Sequence, residues 1–102
     1  MLIIMPIERI NLLACKPFPY RDLRVDPVDP EHVESLRASI REFGFWGGPV
    51  VRRSSKYGFE IISGLARIEA AIAEGITEAN LFVGELSDAE AIRIYEKKWV
   101  RR

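Results

Sequence analysis

The chain has 102 residues, 48% of them hydrophobic, which suits one compact domain over 1–102 with a modest core and leaves no room for a second. Fifteen basic and fifteen acidic side chains cancel, excluding a whole-molecule field that would draw the chain to nucleic acid or an anionic membrane. Cys15 and His32 are the single cysteine and histidine, which excludes an internal disulfide and a zinc cluster of nitrogen and sulfur ligands.

The opening Met-Leu-Ile-Ile-Met-Pro is too short for the apolar core of a signal peptide, and no run is long enough to span a membrane. The expectation is a soluble, cytoplasmic protein with no membrane partner. Leu2 to Leu13 is rich in Leu, Ile and Met around Pro6, and predicts an edge strand over Ile7–Leu12. From Ala14 to Pro30, prolines 17, 19, 27 and 30 predict an irregular loop that carries Lys16, Arg21 and Arg24. A loop of this length is either functional, closing over a ligand, or disordered.

Asp29-Pro30-Glu31 predicts a helix start, with Asp29 as cap and Pro30 at the first helical position. Val33, Leu36, Ile40 and Phe43 share one face, Gly44 supplies the stop, and His32 lies off the apolar face as a solvated first-turn residue. Phe45-Trp46-Gly47-Gly48-Pro49 is a turn in which Trp46 either caps the core or offers a stacking surface, beside glycines that let a ligand approach. Val50–Arg53 and the run from Phe59 read as a hairpin joined by Ser54–Gly58.

Phe59 to Glu74 is the centre of the chain. The apolar run Phe59–Ile62 breaks at Ser63-Gly64, and apolar residues then return at Leu65, Ile68 and Ile72, so a strand feeds a helix through a small-residue turn. The first helical amides there, of Leu65, Ala66 and Arg67, have no partner within the helix, and the helix dipole adds positive charge. An anion fits such a place, with Arg67 able to fork onto a phosphate. The alternative is an ordinary strand-glycine-helix turn whose Arg67 pairs with Glu60 or Glu74.

Gly75 ends that helix, Asn80–Gly84 predicts a short strand, and Ser87-Asp-Ala-Glu90 is a capping box for a last helix with Ile92, Tyr95 and Trp99 on one side. Lys97–Arg102 concentrates four cations and reads as a solvated helix end or a local contact patch. The order predicts an α+β domain, a small mixed sheet flanked by about three helices.

These pieces together resemble the ParB/sulfiredoxin superfamily. The resemblance is carried by Lys16-Pro17, Ser39 to Gly44, Pro49 to Arg52, Ile61 to Arg67 with Ala70-Ala71, Gly75, and Leu86-Ser87-Asp88. Gly44-Phe45-Trp46 is most similar to the phage-type and free-serine-kinase-like branches. The resemblance implies a nucleotide-binding fold whose glycine turn and arginine grip phosphates. Where partition ParB proteins have Gly-Glu-Arg-Arg, this chain has Gly64-Leu65-Ala66-Arg67. Leu65 and Ala66 replace the Cys-His of sulfiredoxins and the His-His of serine-kinase-like members, and the loop Lys16-Pro17-Phe18-Pro19 lacks the catalytic Glu. No nucleophile, acid or base carries over by family.

The first expectation is therefore a nucleotide- or phosphate-ligand-binding regulatory module of a DNA-transaction or plasmid-partition assembly, without its own helix-turn-helix. Ser63, Gly64, Leu65, Ala66 and Arg67 would hold phosphate of CTP or ATP, with or without Mg. Lys16 and Arg21 would close from the loop, and Phe45, Trp46 and Gly47 would flank the base. A DNA or DNA-processing protein partner and a homodimer go with this reading. Two alternatives are a small-molecule kinase or nuclease using Glu31, Glu34 or Glu69, and a non-catalytic interaction module using Trp46, Trp99 and the basic end.

Overall fold

The computed structural model describes the backbone of residues 5–100 and the side chains of residues 5–97. An interior strand of its sheet is β4, Phe59–Ser63, whose Glu60, Ile61 and Ile62 are all buried. The strand is buried on both faces, so Phe59, Ile61 and Ile62 do not alternate with exposed residues, and Glu60 between them is buried against Arg52. β4 is flanked by β3, Val50–Arg53, antiparallel, and by β2, Cys15–Pro17, parallel. β5, Glu78–Val83, lies parallel to β3 and antiparallel to β1, Ile7–Asn11, which gives a five-stranded mixed sheet in the order β1-β5-β3-β4-β2.

Because neighbouring strand residues face opposite ways, Ile61 and Ile62 belong to two cores. Ile61 packs with Val51, Leu81 and Val83 of the sheet, with Leu65, Ile68, Ala70 and Ala71 of α2, Leu65–Ala73, and with Ile40 of α1, Pro30–Phe43. Ile62 packs on the other face with Phe18 and with Ala91 and Tyr95 of α3, Asp88–Val100. Each large apolar side chain taken out of water contributes about 1.5–3 kcal/mol. Ala70 and Ala71 are fully buried, and their small side chains let α1 lie close on α2.

The α+β order and the hairpin agree with the sequence reading, and four local expectations need correction. The proline-rich segment is not wholly irregular: a 3-10 turn at Leu12–Ala14 leads into β2. Proline is tolerated there because β2 is an edge strand with Pro17 as its last residue. β1 stops at Asn11, whose side chain accepts a hydrogen bond from the Leu13 amide and turns the chain, and β5 begins earlier than expected, at Glu78 opposite Asn11. Phe43 is 70% exposed, past Ile40, the buried residue of α1. Helical spacing decides which residues share a face, not which of them meets a partner. Among the described residues no helix is long and apolar enough to cross a membrane. The expectations for Trp99 and for the basic end beyond Lys97 lie outside the described side chains.

Candidate functional site

At the end of β4 the chain passes through Gly64 at φ 96 and enters α2. A side chain at this position would be strained by the backbone and would also meet Pro49, whose Cβ and Cα lie 2.8 and 2.9 Å from where a Cβ would stand. The first hydrogen bond within α2 runs from the Ile68 amide to the Gly64 carbonyl, 3.0 Å. The amides of Leu65, Ala66 and Arg67 precede it, and no side chain caps them. The other helices are closed. Asp29 accepts from the Glu31 amide at 3.0 Å, and Ser87 and Glu90 bond reciprocally at 2.9 and 3.2 Å as a capping box.

The uncapped end of α2 opens on a cleft of about 250 Å³. Gly64, Leu65 and Ala66 form one wall, and Arg21, Pro27, Val28, Asp29 and His32 form the other, so the starts of α1 and α2 converge on one space. The Arg21 side chain is 10% exposed. Its Nε donates to the Asp26 carbonyl at 3.0 Å and its Nη2 lies 3.3 Å from the Asp26 carboxylate. That carboxylate also accepts from the Tyr95 hydroxyl at 2.6 Å. A fixed cation beside free helix amides is an arrangement for holding an anion.

The remaining expected site residues lie around this cleft without lining it. Arg67 turns to the other side of α2, where its Nη1 donates to the Trp46 carbonyl at 3.3 Å and its guanidinium lies 5.8 Å from the Trp46 ring centroid. Gly47 lies beside that contact: a Cβ there would stand at an ordinary 3.5 Å from the Arg67 Cζ, and it is the backbone, at φ 102, that favours glycine. Arg67 pairs with neither of the acids expected as alternatives: Glu60 binds Arg52 at 2.8 Å, and Glu74 binds Arg37 and Arg41, each at 2.7 Å. Trp46 is 63% exposed and is not a lid on the core, whereas Phe45 packs against the core. Ser63 ends β4 opposite Val50, and Lys16 is exposed on β2 opposite Glu60. Glu34 pairs with Arg37 at 3.0 Å, and none of Glu31, Glu34 and Glu69 lines the cleft. Among the described residues no group of three or more His, Cys, Asp or Glu could hold a metal ion.

His32, Asp29 and Val28 are cleft residues that the sequence reading did not place there, because nothing in the order of residues says which helix ends meet. A second polar cluster lies on the α3 face. Arg52 binds Glu60, the Leu86 carbonyl at 3.1 Å and Asp88 at 2.7 Å, and Tyr20 donates to the other Asp88 oxygen at 3.1 Å. The hydrogen bonds from Arg52 and Tyr20 hold the Asp88 carboxyl below its ordinary range. With its cation and acids mutually paired, this cluster joins the loop and α3 to the sheet.

Comparison with known proteins agrees with this architecture. The family model of the ParB N-terminal domain matches residues 5–97. Stage 0 sporulation protein J of Bacillus subtilis (strain 168) is 31% identical over 83 residues, 81% of this chain and 28% of that protein. The chain thus spans less than a third of that relative's length. The C-terminally truncated chromosome-partitioning protein ParB of Caulobacter crescentus, in complex with CTP-γ-S, superposes with a TM-score of 0.78 at 25% identity, covering 95% of this chain and 54% of that one. Sulfiredoxin from Arabidopsis thaliana shares the fold, with a TM-score of 0.64 at 22% identity over 95% of this chain and 99% of that one. The chain belongs to the ParB N-terminal domain family, within the ParB/sulfiredoxin fold.

Proposed function

We propose that this domain binds a nucleoside triphosphate, CTP or ATP, with its phosphates at the start of α2, and serves as the nucleotide-responsive module of a DNA-transaction protein. The observation that carries this reading is the uncapped α2 terminus facing Arg21 across a cleft of about 250 Å³. That volume is below the usual size of ligand sites, so it takes the polyphosphate while the base rests outside it. The exposed Trp46 ring, with Gly47 beside it and Arg67 over it, offers the flat surface a base needs. Arg67 has no carboxylate partner among the described residues and directly follows Ala66 of the cleft wall, so it can exchange its long bond to the Trp46 carbonyl for a phosphate oxygen. Mg would be carried by the nucleotide's own phosphates. The related ParB crystallised with CTP-γ-S supports CTP as the first ligand to try.

A thermal-shift screen of CTP, ATP, ADP and GTP, with and without Mg, tests the reading on wild type, Arg67→Ala and Arg21→Ala. Ligand at a hundredfold excess over its Kd should stabilise by about 2.7 kcal/mol, which raises Tm by roughly 10 °C or more in a domain of this size. The shift should shrink in both variants. Absence of a shift with every nucleotide, or one that both variants retain in full, would refute the proposal.

A further inference from the structure

We propose that Tyr95, on the last helix, and Asp26 act as positioning residues for Arg21, so that anion affinity in the cleft is set by a contact made on the opposite face of the sheet. The inference rests on the phosphate reading of the cleft. An arginine on a loop has about 2 kcal/mol of rotamer entropy to lose before it can be aimed. Here the Asp26 carbonyl accepts from Nε and the Asp26 carboxylate lies 3.3 Å from Nη2, leaving both Nη1 hydrogens uncommitted among the described residues. Asp26 does not line the cleft, so it grips Arg21 from behind and does not occupy the ligand's place.

Asp26 is itself fixed from two directions. Its amide donates to the Asp22 carbonyl at 2.7 Å, closing the loop locally. Its other carboxylate oxygen accepts the Tyr95 hydroxyl at 2.6 Å, a short charge-assisted bond. Tyr95 is 8% exposed, with its ring 5.6 Å from that of Phe18, which is 1% exposed, so the hydroxyl is delivered by a side chain that cannot move freely. A line of close contacts therefore runs from the core under α3, through Tyr95 and Asp26, to the guanidinium at the cleft. Without the hydroxyl the carboxylate has one fewer restraint, and the fork it presents to Arg21 loses its fixed direction.

The test is calorimetric titration with CTP plus Mg, and separately with inorganic tripolyphosphate, on wild type, Tyr95→Phe, Arg21→Ala and the double variant. Tyr95→Phe keeps the ring and removes only the hydroxyl, and should weaken both probes by about threefold to tenfold, the size of one hydrogen bond. In the Arg21→Ala background the same change should have no further effect, which a general loosening of the fold would not produce. Should Tyr95→Phe fail to fold, Asp26→Asn serves in its place with the same expectation, because the amide still accepts from Tyr95 but no longer attracts Arg21. Wild-type affinity in the Tyr95 variant, or an equal loss with and without Arg21, overturns the inference and leaves the phosphate reading standing. A wild type that binds neither probe removes the phosphate reading and this inference with it.

Discussion

Replacing Gly64 by alanine should be among the most costly single substitutions in this domain, and the structure separates the two reasons. Gly64 has φ 96, and an L-residue held in the left-handed region costs about 1–2 kcal/mol. The new Cβ would also stand 2.8 and 2.9 Å from Pro49 Cβ and Cα, closer than real contacts allow, and Cα cannot rotate away. Overpacking of this kind typically costs about 1–3 kcal/mol. The alanine recovers about 0.4–1 kcal/mol through the less flexible unfolded chain. The net is a loss of roughly 1–5 kcal/mol, centred on about 3 kcal/mol, which is about 12–24 °C in Tm. Gly75 is the control: it has φ 84 and nothing within 4 Å of its Cβ position, so Gly75→Ala carries the backbone cost alone. Urea unfolding of both variants beside wild type reads the two numbers directly. If Gly64→Ala is no more destabilising than Gly75→Ala, the close approach of Pro49 to the start of α2 is not a real restraint and the description of the turn is wrong.

Arg52→Met should cost about 3–5 kcal/mol in the same assay, because it leaves the Glu60 carboxylate buried beside Ile62 without its 2.8 Å partner. Replacing Glu60 by Leu as well should recover most of that loss, and a mild single variant would show that the pair is not buried as described. Glu74 gives a pH dependence. Its hydrogen bond from Arg37, with the Arg41 charge beside it, holds the carboxyl below its ordinary range in the folded state. The unfolded chain therefore takes up this proton first, so the contribution is present above about pH 4.3 and is lost as pH falls through the lower folded value. Urea midpoints followed from about pH 6 to 3 should fall less steeply for Glu74→Gln than for wild type, and parallel curves would remove this ion cluster from the acid transition.

Much of the architecture is legible in the sequence because local chemistry and tertiary packing agree. Asp29-Pro30 and Ser87 to Glu90 are sufficient to start α1 and α3, and the change of period at Ser63-Gly64 marks where β4 becomes α2. β2 is not legible, since three residues ending in a proline carry no pattern of their own and become a strand only by lying against β4. The candidate site is legible in one half. The free amides of α2 follow from the turn, and the basic loop suggests that a cation comes to meet them. Which cation does so depends on the path of the loop: Arg21 is turned inward by Asp26, and Lys16 is carried outward on an edge strand. Arg67, Trp46 and Gly47 form their own contact for the same kind of reason, because Pro49 brings their turn to the start of α2 at a distance no spacing rule encodes.

Whether the first amides of α2 are the phosphate ligands is read by amide-resolved NMR during titration with CTP and Mg. Phosphate at this helix start should give large, saturable shifts at Gly64, Leu65, Ala66 and Arg67, smaller ones at Arg21 and His32 across the cleft, and little change along β1 on the far edge of the sheet. Saturable shifts elsewhere that leave the α2 amides unmoved, or no shifts at millimolar CTP, would contradict it.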